Sequence, residues 1–500
     1  MAPAARVPYK GAMPGPVRHT WSESDRFVPR AFARPAQRFM ATEAAGGVVM
    51  LVAAVVALAW ANSPWHQSYS DLWRTPLVVD VGNLVNLDHL SLQAWVNDAL
   101  MAVFFFLAGL EIKREVVHGD LRDRRAIALP VFAALGGMVV PATIYALFNA
   151  GGPGSSGWGI PMATDIAFAV GVVTLLGRRV PAAAKVFILT LAIVDDIGAI
   201  VVIAVFYTGT LSPGWLAAAL TGLAVVVALR RGDVQALAPY LSVGAFVWFA
   251  MLQSGVHATL AGVALGLLTP AWPLRSPRRF PRAARRLIDG VERDYYDRVV
   301  TQESFEAAEF RIDDLSRLAQ LSTSPLERLA SRLTPWVAFV IVPTFALANA
   351  GARFGGGAAG LTDRVFLGVG VGLVLGKAVG VLGASWLAVR LGFGRLPAGA
   401  TWHHMAGLAV TSGIGFTVAL FVAGLSFDTP ALLDSAKLGI LAASLCAGVG
   451  GWLVLRSAPL VSDESSPTAL AASGSPEPGN GGRRKGSSAV AGNGVGASTG

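Results

Sequence analysis

The chain has 500 residues, of which 54% are hydrophobic and only 14% are charged. Soluble domains carry roughly 25% charged residues, so this composition excludes an ordinary soluble protein. Apolar stretches of about 17–25 residues, long enough to cross a bilayer, recur along the chain and predict an all-α polytopic membrane protein. The formal charge of +9 suggests nucleic-acid binding only if the basic residues form one patch, and they do not.

Twelve membrane spans are predicted between two polar tails. In chain order they are approximately 44–62, 94–112, 126–149, 160–177, 182–207, 214–230, 238–252, 256–270, 333–351, 365–389, 404–426 and 434–455. The predicted regions are therefore an N-terminal tail at 1–43, spans one to eight at 44–270, an insert at 271–332, spans nine to twelve at 333–456, and a disordered Ser- and Gly-rich tail at 457–500.

The basic residues follow the predicted topology. When residues at the edge of a span are counted with the adjoining loop, 35 of the 40 Lys and Arg belong to the tails and every second loop and four to the other loops, and Lys377 lies deep inside a span. Because cytoplasmic loops are enriched in Lys and Arg, this distribution places both termini in the cytoplasm. The basic charge thus reflects orientation, and no nucleic-acid partner is expected.

Two polar loops contain predicted structure. In the loop at 71–93, β-branched residues flank Gly82-Asn83, which predicts a hairpin. In the insert, Ser324 precedes Pro325 and is followed three residues later by Glu327, the pattern of a helix N-terminus. An amphipathic helix is therefore expected to lead into span nine. Cys446, the single cysteine, is predicted to be a small buried apolar residue.

Five charged residues lie where a bilayer disfavours charge: Asp98, Asp165, Asp195, Asp196 and Lys377. On insertion scales each ionised centre costs about 2.5–3.5 kcal/mol, so these groups must pair, protonate or bind ions. The adjacent Asp195-Asp196 pair is the most informative, because two close carboxylates either share protons or offer hard oxygen ligands to a small cation. Lys377 requires an aspartate partner, whether its role is structural or functional.

Span four, with Pro161 before Asp165, and span eleven, with Gly413 and Gly415, are both interrupted by helix-breaking residues. Spans 3–5 and 10–12 occupy corresponding places in segments of similar length, the pattern of an inverted repeat whose two discontinuous helices cross at a binding site. Small residues that serve only helix packing remain the alternative. His257, Glu111 and Glu115 are candidates for a pH response. The alternative is that His257 is a hydrogen-bonded structural residue and that Glu111 and Glu115 are interfacial anchors.

Several motifs resemble the NhaA-type bacterial Na⁺/H⁺ antiporters over residues 44–456. They are VND at 96–98, FFLAGLEIKRE at 105–115, ATDIAF at 163–168, LAIVDDIGAI at 191–200, SGVHATLAG at 254–262, FALANAG at 345–351 and GIGFT at 413–417. The resemblance implies electrogenic export of Na⁺ or Li⁺ in exchange for external protons across the bacterial inner membrane, for sodium and pH homeostasis. It implies a transporter with no enzymatic activity and no cofactor.

The same resemblance implies residue roles. Asp196 is expected to be the principal ligand of the transported Na⁺ or Li⁺, with Asp195 its partner in cation and proton exchange and Lys377 the ion-pair partner of Asp195. Asp165, with Thr164 and Lys377, is expected to compensate helix ends, and Asp98 to be a periplasmic-side carboxylate. The protein is expected to lie in the lipid bilayer and to form a homodimer, with the 71–93 hairpin as the element that joins the two copies.

The chain also departs from the pattern of that family. Ala330, Ser331 and Thr334 stand where close relatives carry an acidic residue and two histidines, and Ala378 follows Lys377 where proline is common. Other readings are another cation-coupled transporter, a passive cation channel, or an intramembrane aspartyl protease. The protease fits poorly, because the two aspartates of such an enzyme lie on facing helices, whereas Asp195 and Asp196 are adjacent on one helix.

Overall fold

The computed structural model describes residues 45–77, 80–81, 85–86, 90–119, 124–232, 234, 237–273, 280–296, 302–354 and 363–459. The predicted tail at 1–43 and almost all of the predicted tail at 457–500 lie outside these residues. Nearly all of the described chain is helical, because an apolar segment without water must satisfy its backbone N–H and C=O groups internally.

The helices of the first half begin close to the predicted spans. They are α1 (Ala45–Ala61), α2 (His66–Arg74), α3 (Leu92–Val117), α4 (Arg124–Asn149), a 3-10 helix (Ser155–Met162), α5 (Ile166–Leu175), a 3-10 turn (Gly177–Arg179), α6 (Ala182–Phe206), α7 (Pro213–Arg231), α8 (Leu237–Gln253) and α9 (Thr259–Leu268). Between α2 and α3, β1 (Asp80–Val81) pairs antiparallel with β2 (Val85–Asn86), which confirms the predicted hairpin.

The second half starts with the insert. Its helices are α10 (Phe280–Tyr296) and α11 (Gln302–Ser322), followed by α12 (Pro325–Asn349), α13 (Arg364–Arg390), α14 (Trp402–Thr411), α15 (Phe416–Ser426) and α16 (Pro430–Arg456). The Ser324 side chain accepts a hydrogen bond from Glu327 N at 3.2 Å, so the predicted helix start before span nine is confirmed. Proline at the first helical position also begins α7 and α16, where its missing N–H costs no hydrogen bond.

Each predicted span has a helical counterpart. Eight of the described helical segments are long and apolar enough to cross a membrane, and two bent pairs, α1 with α2 and α14 with α15, raise that number to ten if each pair is one span. The helices α8 and α9 are apolar but shorter. The protein is therefore a multi-pass α-helical membrane protein, and the total of twelve spans stays a prediction.

Three of the described helices contain a π-helical turn. These turns lie at Val96–Leu100 in α3, at Val337–Ile341 in α12 and at Gly372–Gly376 in α13. Such turns are rare and occur frequently at functional sites. The first contains Asp98 and the third ends directly before Lys377, so two predicted site residues lie at local changes of helical pitch.

The half-helix α15 lies at the centre of the described chain. Every residue from Phe416 to Ala423 is at most 3% exposed, and Phe421 packs against Phe105 and Phe345 with ring centroids 5.5 and 6.4 Å apart. The prediction that Cys446 is buried is wrong, because its side chain is exposed on α16. Lipid tails are as apolar as a protein core, so hydrophobicity alone does not distinguish a core-facing from a lipid-facing position.

Candidate functional site

The adjacent aspartates lie in the middle of α6. Asp195 is fully buried, and Asp196 is 7% exposed. Consecutive side chains on a helix point about 100° apart, so the two carboxylates leave α6 in different directions. Glu111, Asp165 and Asp195 all lie within electrostatic range of Asp196. Asp196 therefore sits in a buried acidic environment, with Lys377 as the compensating cation in the same range.

Asp195 is the predicted partner of Lys377, and the structure confirms their contact. The Lys377 ammonium forms an ion pair with Asp195 Oδ2, and neither side chain is exposed. Lys377 also donates to Thr164 Oγ1 at 2.9 Å. Thr164 Oγ1 lies 2.7 Å from Asp195 Oδ2 and 2.9 Å from the carbonyl of Ser412. Because a hydroxyl has one hydrogen, Thr164 can donate to only one of these two acceptors at a time.

Two carboxylate oxygens in this cluster lack donors. Among the described residues, neither Oδ1 of Asp195 nor Oδ1 of Asp196 has a hydrogen-bond partner, although both atoms are buried. An unsatisfied buried acceptor is costly, and a carboxylate oxygen is the ligand type that binds a small hard cation. The described residues contain no group of three or more His, Cys, Asp or Glu arranged to hold a metal. A cation here would complete its shell with other oxygens or water.

The two interrupted segments contact each other through their non-helical residues. The first runs extended between the 3-10 helix and α5, and the second lies between α14 and α15, whose axes differ by 43°. Asp165 N donates to Ile414 O at 2.6 Å, and Thr164 Oγ1 lies 2.9 Å from Ser412 O. The predicted helix breaks are therefore present and in contact. Their relation by an inverted repeat stays a prediction.

Asp165 caps two half-helices at once. As the N-cap of α5 it accepts from Phe168 N at 3.2 Å through Oδ1. Its Oδ2 accepts from Thr417 N at 3.1 Å and Thr417 Oγ1 at 2.7 Å, at the start of α15. Helix N-termini carry partial positive charge, so a single buried carboxylate satisfies donors and dipoles from both segments.

Three residues of this region were not singled out from the sequence. Thr417 binds Asp165, Ser412 offers its carbonyl to Thr164, and Gly137 of α4 lies against Lys377. A Cβ at Gly137 would be 3.7 Å from Lys377 Nζ. The sequence does contain a signal for Thr417, because it follows Gly415-Phe416 at a predicted helix start, where hydroxyl side chains are common. No sequence signal indicates the other two, since their contacts come from distant helices.

Of the remaining predicted residues, Glu111 lies within electrostatic range of Asp196 in this cluster. Asp98 is half-buried, and its carbonyl accepts from Trp248 Nε1 at 2.9 Å. Glu111 and Glu115 lie partly exposed near the end of α3. His257 Nε2 is 2.6 Å from the carbonyl of Tyr207, so this nitrogen carries the hydrogen. That contact favours the structural reading of His257, and a pH response of these residues stays a prediction.

The positions that depart from the family's pattern carry no titratable group. Ser331 and Thr334 donate to carbonyls of their own helix, at Arg328 and Ala330, with distances of 3.1 and 2.8 Å. Ala330 is buried. Near them, Arg114 of α3 and Glu327 of α12 approach to 3.9 Å, and both side chains are about half exposed. The described ends of α3 and α12 are thus linked by one charged contact.

Comparison with known proteins gives consistent matches. A Na(+)/H(+) antiporter NhaA 2 of Sorangium cellulosum is 46% identical over 457 residues, covering 90% of this chain and 95% of that protein. The NhaA antiporters of Rhodopirellula baltica and Anaeromyxobacter sp. are 46% and 47% identical, covering 84% and 87% of this chain and 92% and 94% of their own lengths. The sodium proton antiporter MjNhaP1 of Methanocaldococcus jannaschii is a structural match with 13% identity and a TM-score of 0.44, covering 86% of this chain and all of that chain.

The family model described as Na⁺/H⁺ antiporter 1 matches residues 37–455. This range includes the interrupted segments, the Asp195-Asp196 pair and Lys377. The chain therefore belongs to the Na⁺/H⁺ antiporter 1 family.

Proposed function

We propose that this protein is a secondary active antiporter that exports Na⁺ or Li⁺ in exchange for external protons, for sodium and pH homeostasis. Its relatives are named antiporters, and antiporters move ions without transforming them chemically. The observation that carries the proposal is the buried cluster of Asp195, Lys377 and Thr164 between two interrupted helices, with two carboxylate oxygens that have no donor among the described residues.

The cluster supports transport by competition. When Asp195 and Asp196 are ionised, their free Oδ1 atoms can bind a cation. When protons occupy the carboxylates, the negative charge that attracts the cation is lost. Lys377 changes partner in the same cycle, because a cation bound beside Asp195 competes with the ammonium for its negative charge. Asp196 is the principal cation ligand in this proposal, and Asp165 holds the geometry by capping both half-helices.

The exchange is proposed to be electrogenic. Two carboxylates and one lysine change protonation or pairing for each monovalent cation, so the charges that move in opposite directions need not balance. A membrane potential acts on each net charge with about 2.3 kcal/mol per 100 mV. Exchange should therefore respond to an imposed potential.

The test is the pair of variants Asp196→Asn and Asp196→Glu, purified and reconstituted in proteoliposomes with an imposed proton gradient. Asparagine is nearly isosteric with aspartate, but it neither titrates nor carries a full charge. Asp196→Asn should fold normally and lose Na⁺-dependent proton movement at every pH. Asp196→Glu should retain exchange with a higher Na⁺ concentration at half-maximal rate, because the carboxylate is displaced by one methylene.

A matched control is Asp428→Asn, which makes the same chemical change at an exposed aspartate after α15. This control should exchange Na⁺ and Li⁺ like the unchanged protein. Saturable exchange by well-folded Asp196→Asn would show that the cation binds elsewhere. Sodium movement without any counter-movement of protons would instead indicate a passive channel.

The cellular arrangement proposed here follows the charge distribution and the family. The protein lies in the bacterial inner membrane with both tails and the 271–332 insert in the cytoplasm. Asp98 lies toward the periplasmic side, and Glu111, Glu115 and His257 are candidates for pH response. A homodimer forms through the 71–93 hairpin, which the antiparallel pairing of β1 and β2 supports as a structured element.

A further inference from the structure

The insert is tied to the membrane-spanning part of the protein at both ends. The carbonyl of Pro270, just after α9, accepts a hydrogen bond from Leu326 N at the start of α12, with a distance of 3.2 Å. Beside this point Trp272 is 62% exposed and contacts His118 at the end of α3. Exposed tryptophan is typical of a membrane interface. The insert therefore leaves and re-enters the membrane domain at one place near a bilayer surface.

The two insert helices pack against each other as an antiparallel pair. On α10 the apolar positions Phe280, Ala284, Leu287 and Val291 recur at helical spacing and are partly or fully buried. On α11, Ala308 is fully buried and Leu318 is 6% exposed. Because the apolar stripe of α10 is used in this contact with α11, its opposite face remains open and polar.

The open face of α10 is basic. Arg282, Arg286 and Arg293 lie on it at helical spacing, and all three are exposed. None of them forms an ion pair with another described side chain. The two helices also differ in charge, since α10 holds four arginines and three acidic residues, whereas α11 holds two arginines and five acidic residues. The hairpin therefore has an acidic helix, α11, and a helix, α10, whose arginines are concentrated on its open face.

We propose that the arginine face of α10 binds the anionic headgroups of the cytoplasmic leaflet, while α11 faces away from the membrane. Guanidinium groups bind phosphate through several N–H donors, so phospholipid headgroups are their natural partners at this position. Each arginine near an anionic leaflet strengthens binding about five-fold. The lipid would hold the hairpin against the surface next to the end of α3, where Arg114 already contacts Glu327.

The test uses the full-length protein with Cys446→Ser and a single fluorophore on Asp289→Cys, an exposed position of α10 between the arginines. The protein is reconstituted in phosphatidylcholine vesicles with or without phosphatidylglycerol, and both leaflets contain a lipid with a quencher on its headgroup. Quenching should be stronger with phosphatidylglycerol and should fall in high salt, because salt screens surface charge. A fluorophore on Glu306→Cys of α11 should show little quenching in either vesicle.

Charge variants decide between lipid and other partners. Changing Arg282, Arg286 and Arg293 together to Gln should abolish the phosphatidylglycerol-dependent quenching, since three arginines contribute on the order of a hundred-fold in binding. The matched control, Glu309→Gln with Asp313→Asn and Asp314→Asn on α11, should leave it unchanged. Equal quenching in both vesicle types, or quenching retained without the arginines, would overturn the proposal. Energy transfer between labelled copies that is lost in the arginine variant, without lipid quenching, would assign the face to a second copy instead. Because no transport is measured, these outcomes are independent of the exchange activity.

Discussion

Lys377 and Asp195 form an ion pair in which neither side chain is exposed to solvent or lipid, and Thr164 contacts both partners. The pair joins α13 to α6, and Thr164 connects both helices to the extended segment before α5. One buried contact thus couples three parts of the chain that are far apart in sequence. Its energetic effect depends on whether one or both charges are removed, because a single buried charge left behind has no compensation.

Removing only one partner should therefore be worse than removing both. Lys377→Ala is expected to lower the free energy of unfolding by about 3–5 kcal/mol, because it strands Asp195 in a low-dielectric interior. Combining it with Asp195→Asn should restore much of that loss. Thermal melts of the detergent-solubilised proteins measure the difference, and strictly additive effects would contradict the pairing.

The contact between Thr417 and Asp165 makes a second prediction. Thr417→Val keeps the shape of the side chain but removes the hydroxyl that donates to Asp165 Oδ2 at 2.7 Å. A hydrogen bond to a charged group contributes about 1.5–3 kcal/mol, so the variant should melt at a lower temperature and exchange Na⁺ more slowly. Thr143→Val is the matched control, because that hydroxyl is exposed and donates only to Val139 O of its own helix. Equal effects of the two variants would show that the Asp165 contact has no special importance.

Gly137 gives a prediction about the space around Lys377. An added Cβ there would lie 2.8 Å from Val381 Cγ2, too close, and 3.7 Å from Lys377 Nζ, an ordinary contact. Gly137→Ala should therefore destabilise the protein by about 1–3 kcal/mol through overpacking. Adding Val381→Ala removes the clash and should recover stability.

The same double variant should still exchange Na⁺ more slowly, because the new methyl group remains beside the ammonium that we propose changes partner during transport. Melting temperature and exchange rate in proteoliposomes are measured on the two single variants and the double variant. Full recovery of both quantities would show that Gly137 serves helix packing alone.

Topology can be tested with introduced cysteines. In a Cys446→Ser background, cysteines placed at Asp314 in the insert should resist membrane-impermeant thiol reagents in intact cells, whereas a cysteine at Asp71 in α2 should react. The expectation follows from the concentration of Lys and Arg in alternate loops. Fast labelling at Asp314 in intact cells would reverse the predicted orientation.

Most of the helices could be predicted from the sequence, because long apolar runs must be helical in a bilayer. The predicted break in span eleven is present between α14 and α15. The predicted start of span nine at 333 is wrong, because α12 begins at Pro325. Polar residues in the first turns of α12 hid its length from hydropathy, while Ser324 marked its true start. No sequence signal indicates the π-helical turns, because they depend on local packing.

The sequence by itself determined that the protein crosses a membrane, which residues carry charge at depth, and where helices must break, because these follow from hydrophobicity, proline and glycine. Its motifs also indicated the family. The resemblance to that family implied the pairing of Lys377 with Asp195. Only the tertiary structure decided the contacts around this pair: that Thr164 contacts both partners, that Asp165 caps both half-helices through Thr417, and that Gly137 leaves space beside the ammonium. These contacts join residues up to 252 positions apart, and no local pattern encodes which helix faces lie against each other. Cys446 shows the same limit, since an apolar residue in a span fits either the core or the lipid.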